Sequence, residues 1–498
     1  MIVSPAHVLL LLFLFRFVHA GRVLTDIRER VRDLQLQDAR RRLASSRRRL
    51  QHVKEGRIRQ RLDHFNRQNT DTLLQRFFMN DAFWENPDGP VFLFIGGEGP
   101  VSEIDVLTGH HVDMAEEHGA LLLALEHRFY GDSINPDGLR TENLIALSSQ
   151  QALADLAEFH QFISRGLNLT LRNPWISFGG SYSGALSAWF RGKFPHLIFA
   201  AVASSAPIRA QLDFSAYCKA VGLSLMNEAV GGSQKCLTGV QDAFAALEAA
   251  LLGGNSSQVS ADFSCCQTPQ HPEDQIELIQ SVADIVMATV QYNEEGAFLS
   301  IREVCDVMTD ATRQPYPRLV RLGQLYRSTT GGRCVNVSHE AAVRDLMDTS
   351  VPPRRSERQW IYQTCTEFGF YQTCEDTTCP FSRRLTLQVQ TEICSTLFGI
   401  SQHSLQGRVA FTNTYYGGDD PPPHRVLYVN GGVDPWRELS VIRDRTEGGE
   451  PAQIVFIQDA AHCADMRTRV TDRRSLENAR NEIKTRVSGW LETAKRSL

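Results

Sequence analysis

The segment Trp175-Ile-Ser-Phe-Gly179-Gly180-Ser181-Tyr182-Ser183-Gly184 places a serine among glycines where an apolar run ends and a helical pattern begins. A serine on such a tight strand-to-helix turn has its hydroxyl raised above the carboxyl end of a sheet, where it can act as a nucleophile. Small neighbours are needed because the turn brings backbones close and strains the nucleophile's dihedrals. The usual pattern has glycine two residues before and two after the serine. Gly179 meets the first requirement, but Ser183 takes the second place and Gly184 follows it. Ser183 fits less well as the nucleophile, since Ser181 would then stand two residues before it.

A serine hydroxyl needs a base, and the base needs an orienting acid. On a sheet of this kind the order along the chain is serine, acid, histidine, with the latter two on loops after later strands. Asp434, in Asn430-Gly-Gly-Val-Asp434-Pro435, follows one apolar run, and His462, in Asp459-Ala-Ala-His462-Cys463, follows another. His462 would take the proton from Ser181 and return it to the leaving amine. Asp434 would fix the imidazole tautomer. The oxyanion that forms needs aimed donors. The amide of Tyr182 is one candidate, and the second lies in Gly96-Gly97-Glu98-Gly99, with Gly97 the expected donor. That loop lacks the Lys-Ser/Thr ending of a nucleotide-binding loop. Cys463 reads either as a thiol beside the site or as a small buried residue. No cofactor and no metal is called for; Cys374-x4-Cys379 lacks the second pair or nearby histidines of a zinc site.

The elements that must position these groups alternate between strand and helix. Val91–Ile95, Leu121–Leu125, Trp175–Phe178 and Phe199–Ser204 read as short buried strands. Residues 109–118, 148–165 and those from about Gly184 read as helices. Such alternation with apolar strands predicts a parallel sheet covered on both faces, an α/β fold. From about Gln211 to Gly407 the pattern becomes helical. Strand signals then return at Arg425–Asn430 and Ile454–Ile457, followed by a helix near Leu476–Ala494. The expected organisation is a signal peptide at 1–20, a basic lead segment or propeptide at 21–59, and an α/β domain at 60–210 and 408–498. A helical cap would be inserted at 211–407.

Val8–Phe15 is an apolar run before Val18-His19-Ala20, the form of a secretory signal, and it is too short to serve as a membrane anchor. Residues 21–60 hold thirteen Lys/Arg against five Asp/Glu, so a net charge of −5 leaves the body acidic and argues against a nucleic-acid partner. Ten of eleven cysteines fall between Cys218 and Cys394, an even set that reads as disulfides stapling the insertion. Asn168, Asn255 and Asn336 head glycosylation sequons.

The chain resembles the prolylcarboxypeptidase and dipeptidyl peptidase II family of serine peptidases from about Gln60 to its end. The motifs are Gln60-Arg-Leu-Asp-His-Phe65, Gly96-Gly-Glu-Gly99, Glu126-His-Arg-Phe-Tyr-Gly131, Gly179-Gly-Ser-Tyr182, Asp434-Pro-Trp436, His462, Lys193–Ala200, Ala203–Pro207 and Tyr362–Phe370. The resemblance implies an α/β-hydrolase with a helical cap, acting on peptides in endosomes or lysosomes or after secretion. For one branch it implies supply of self-peptides for T-cell selection. Trp436 would line the primary specificity pocket, with Glu98 also meeting substrate. Ala185 stands where the prolyl-specific enzyme has methionine, which puts proline preference in question. An ester hydrolase on the same fold and a catalytically silent glycoprotein are the rival expectations.

Overall fold

The computed structural model describes residues 23–43, 51–296, 299–330, 334–351, 355–420, 424–443, 453–469 and 471–496. The expected signal segment and the run Arg47–Arg49 lie outside these residues. A helix α1 (Val23–Leu43) leads into β1 (Val53–Arg61), β2 (Thr72–Asn80), β3 (Val91–Ile95), α2 (His110–His118) and β4 (Leu121–Leu125). Next come α3 (Ser149–Leu167), β5 (Trp175–Gly180), α4 (Tyr182–Lys193) and β6 (Ala200–Ser204). After a long helical excursion the chain returns with β9 (Val426–Gly431), β10 (Gln453–Ile457) and the last helix, α15 (Arg474–Arg496).

Eight of these strands form one sheet in the order β1-β2-β4-β3-β5-β6-β9-β10. From β4 to β10 all neighbours are parallel. Val91, Phe92 and Leu93 in β3, and all five residues of β4, are buried, as strands covered on both faces must be. On one face α2 and α15 pack Val112, Met114, Ile483, Val487 and Trp490 against Phe92, Leu122 and Ile176. On the other, α3 and α4 pack Leu153, Leu156, Phe159 and Ala185 against Leu93, Leu121 and Leu123.

The sheet is mixed rather than wholly parallel. β1 and β2 were not expected; they pair antiparallel with each other, and β2 pairs antiparallel with β4. β1 reads Val-Lys-Glu-Gly-Arg-Ile-Arg-Gln-Arg, and charges of this kind suit a sheet edge open to solvent. β1 thus starts at Val53, ahead of the boundary expected at residue 60. Residues 23–43 of the basic lead segment also pack on the fold. In α1, Val23, Ile27 and Val31 form one stripe inside the main core, while Ala39 and Leu43 pack with Ile104 and Leu107.

The excursion starts with a two-residue-paired ribbon of β7 (Gln211–Asp213) and β8 (Gly369–Tyr371). Its helices are α5 (Ser215–Met226), α6 (Gln234–Leu252), α7 (Ser256–Phe263), α8 (Pro272–Gln291), α9 (Ile301–Met308), α10 (Pro315–Thr330), α11 (His339–Leu346), α12 (Glu357–Gln363), α13 (Leu387–Phe398) and α14 (Gln402–Tyr416). α14 runs across the boundary expected at 407. Four disulfides tie this region: Cys236–Cys305, Cys266–Cys334, Cys365–Cys394 and Cys374–Cys379. The even set is thus incomplete, since Cys218 and Cys265 carry free thiols. Cys218 is a fully buried core residue of α5, behaving as a small apolar side chain.

Candidate active site

Ser181 joins β5 to α4 with φ +59° and ψ −130°, a conformation that non-glycine residues hold only when their surroundings impose it. Two close approaches explain the glycines before it. A Cβ on Gly179 would stand 2.1 Å from the Ser183 carbonyl oxygen, and one on Gly180 would stand 2.4 Å from Met466 Sδ and 2.9 Å from Cys463 Sγ. The backbone N–H of Ser181 donates to the Ser204 carbonyl at 2.9 Å. Ser183 explains the departure from the usual glycine spacing. Its hydroxyl turns back into the elbow, donating to the Gly180 carbonyl at 2.9 Å and accepting from the Gly180 N–H at 3.1 Å. The serine fastens the turn from inside.

Asp434 and His462 meet. Asp434 Oδ2 lies 2.9 Å from His462 Nδ1, and Oδ1 accepts the Trp436 N–H at 3.0 Å. Both side chains are buried, at 0 % and 6 % exposed. An acceptor at Nδ1 puts the proton there and leaves Nε2 as the free base. Burial disfavours the imidazolium, but the Asp434 carboxylate outweighs that and holds the His462 pKa well above its ordinary value. Burial pushes the Cys463 thiol up against the pull of His462, so it is held as a thiol rather than a thiolate.

The histidine loop is tied to the end of β6, which in turn holds the Ser181 N–H, and to the cap. The Cys463 N–H donates to Ser205 Oγ at 2.9 Å, and the His462 N–H donates to the Gln291 carbonyl at 3.0 Å. Tyr292 stands edge-on to the imidazole, with centroids 6.2 Å apart. Gln291 and Tyr292, at and just past the end of α8, carry no motif that would have marked them. Ser205 lies inside the Ala203–Pro207 stretch, but its task is invisible without the loop that crosses it.

Gly97 borders the elbow, since a Cβ there would lie 3.3 Å from Ser183 Cβ. Glu98 is engaged by Arg28 of α1 at 3.5 Å. Trp436 is half-buried in an aromatic cluster, with ring centroids 5.5 Å from Phe214, 5.8 Å from Tyr217, 5.3 Å from Phe370 and 6.3 Å from His462. Its indole N–H donates to Gln291 Oε1 at 3.0 Å. Ala185 departs from expectation: it is fully buried in the main core and presents no surface to a ligand in this structure. Asn168 and Asn255 are exposed. Asn336 is half-buried, and its side-chain oxygen accepts from Gln267 and from the Ser338 N–H.

Other quoted motifs turn out to be structural. Arg128 is fully buried and grips Asp155 through two bonds of 2.6 and 2.7 Å, while His64 Nε2 meets the same carboxylate at 2.7 Å. Gln60 donates to the Asp155 carbonyl and to Gln75. Together they lock the antiparallel edge to β4 and α3.

Parallel strands whose carboxyl ends carry Ser181, Asp434 and His462 in that chain order, under a helical cap, make this an α/β-hydrolase. Residues 60–483 match the family described as serine carboxypeptidase S28, and the chain belongs to that family of serine peptidases. It is 43 % identical over 456 residues to the thymus-specific serine protease of Homo sapiens, covering 89 % of this chain and 88 % of that one. It is 29 % identical over 457 residues to the human lysosomal Pro-X carboxypeptidase, covering 87 % of each. Among solved structures, proline iminopeptidase from Mycobacterium smegmatis aligns with 89 % of this chain and 99 % of its own, at 12 % identity and a TM-score of 0.37.

Proposed function

We propose that the protein hydrolyses peptide bonds through an acyl-enzyme on Ser181, with His462 as the base and Asp434 as its orienting acid. The observation that carries this is the buried 2.9 Å contact between His462 Nδ1 and Asp434 Oδ2, on loops at the same end of the parallel sheet as the strained Ser181 turn. Ser181 Oγ attacks the scissile carbonyl as its proton passes to His462 Nε2. The tetrahedral oxyanion takes hydrogen bonds from the Tyr182 N–H and from the loop at Gly97. Collapse expels the amine, which takes the proton from His462. Water, deprotonated by the same imidazole, then releases the acid.

The cluster of Trp436, Phe214, Tyr217 and Phe370 supports an apolar residue on the acyl side of the cut. Glu98 would meet a cationic group of the substrate. Likeness to lysosomal and thymic relatives supports work in endosomes or lysosomes, reached through a signal at 1–20, with glycans on the exposed Asn168 and Asn255. On the strength of the thymic relative, supplying self-peptides for T-cell selection is one use of that activity.

The test is labelling by a serine-directed fluorophosphonate together with a peptide-library digest read by mass. Ser181→Ala is expected to lose both labelling and cleavage. Retention of either would move the nucleophile elsewhere. Turnover of long-chain esters in preference to every peptide would return the ester-hydrolase reading.

A further inference from the structure

Tyr362–Phe370, one of the stretches that carry the family resemblance, supplies no group to the proposed reaction. In the structure α12 ends there in a single π-helical turn, Thr364–Phe368, an arrangement that often marks a functional position. Gln363, the last residue before this turn, directs its buried amide at Tyr182, next to the nucleophile, while Glu367 of the turn accepts from Gln363 and Ser149.

Tyr182 is 1 % exposed, and its phenol is held from two sides. His127 Nδ1 lies 2.7 Å from the Arg128 carbonyl, which can only accept, so Nδ1 carries the proton and Nε2 is an acceptor. The Tyr182 hydroxyl therefore donates to His127 Nε2 at 3.0 Å. It in turn accepts from Gln363 Nε2 at 3.0 Å. The second hydrogen on Gln363 Nε2 goes to Glu367 Oε2 at 3.2 Å, and Gln363 Oε1 accepts from the Tyr130 hydroxyl at 2.7 Å. The direction of each bond in this chain is fixed, so the Gln363 amide cannot flip without breaking it. Trp360 and Phe368, from the same segment, flank the Tyr182 ring with centroids 5.6 and 5.3 Å away.

We infer that Gln363 is a positioning residue of the hydrolytic reaction, holding the Tyr182 phenol so that the Tyr182 backbone N–H stays aimed at the oxyanion. This rests on the proposed triad and deepens it. Tyr182 opens α4, so a shift of the first helical turn that moves its backbone N–H also carries its ring, and that ring is pinned by the body through His127 and by the cap through Gln363. The cap thereby acts on the chemical step, not only on access. The Gln363 side chain touches neither the nucleophile nor the base, so its effect on rate passes through Tyr182.

The test compares Tyr182→Phe, which keeps the ring and its packing, with Gln363→Leu and the double variant. The readouts are a fluorogenic peptide cut by the wild-type enzyme and the matching peptidyl aldehyde, whose hemiacetal oxygen occupies the oxyanion position. Each single variant is expected to lower kcat about 10- to 100-fold with KM changed less than about 3-fold. Aldehyde affinity should fall in parallel, and the double variant should be little worse than either single one. An unchanged kcat in Tyr182→Phe, additive losses, or a rate loss with aldehyde affinity intact would each overturn the role. Should Gln363→Leu fail to fold, Tyr182→Phe decides alone. Ser181→Ala tests the nucleophile separately, so an inert Ser181→Ala beside fully active Tyr182 and Gln363 variants rejects the positioning role and leaves the triad standing.

Discussion

Arg28, on the first helix, lies 3.5 Å from Glu98 on the glycine-rich loop, with the two side chains 29 % and 18 % exposed. A segment that reads as a basic leader thus delivers a cation to the edge of the active site. Arg28→Ala leaves the Glu98 carboxylate unpaired and free to meet a substrate cation. KM for peptides with a free amino group near the cut is expected to fall about 2- to 5-fold relative to their acetylated forms, the scale of a half-exposed ion pair. Equal KM changes for both forms would show that Glu98 does not meet substrate.

The pH dependence should follow His462. A general base must be neutral to act, and Asp434 holds this imidazole's pKa above the ordinary histidine value despite burial. Hydrolysis is expected to rise with pH through that raised value. In Asp434→Asn the rising limb should move to lower pH, and kcat should fall by about 10³- to 10⁴-fold, the scale of losing the orienting acid. Rate profiles of both proteins across pH 4 to 9 check this; a limb that stays in place would assign it to another group.

The buried Arg128–Asp155 pair makes a stability prediction. Burial raises the Asp155 pKa, but Arg128 and His64 outweigh it and the net shift is downward. Asp155→Ala strands the Arg128 charge where both side chains are almost unexposed, and should cost about 3–5 kcal/mol in urea unfolding. The exposed pair Arg140–Asp137, at 58 % and 72 % exposure, is the control. Asp137→Ala should change stability by less than about 0.5 kcal/mol.

Glu367 should make the fold more stable in acid. Burial is the first cause of its carboxyl rising from 4.5 to about 7, against bonds from Ser149 and Gln363 that lower it. Between those values the folded chain binds a proton that the unfolded chain has released. Its contribution is therefore full below 4.5 and lost as pH rises through about 7, on the order of 3 kcal/mol. Asp284, raised to about 7 by burial, acts in the same sense. His110, His111, His127 and His160, which burial lowers to about 4, act oppositely and lose stability as pH falls. The clean measurement is the Tm difference between wild type and Glu367→Gln, which should shrink from pH 4.5 to pH 7.5. A constant difference would sink the assignment.

Much of this protein is local in its sequence. Runs such as Val91–Ile95 and Leu121–Leu125 must be strands buried on both faces, because nothing in them suits water. The glycines at 179 and 180 announce a turn that admits no side chain there. The glycine turn, the loops after the returning strands and the chain order together pointed to Ser181, Asp434 and His462, since the carboxyl ends of parallel strands share one rim.

The remainder depended on partners far away in sequence. β1 was not legible because an edge strand owes its place to β2, not to its own hydrophobicity. Helix α1 reads as a polar leader until its three-residue apolar stripe finds the cap helix and the core. The pairing of ten clustered cysteines, two of them left free, was decided by which Cα atoms the helices bring close. Gln291, Ser205 and Gln363 reach the candidate site through hydrogen bonds across 145 to 258 residues of chain. A hydrogen bond of that reach leaves no period or spacing behind, and only folding selects which donor meets which acceptor.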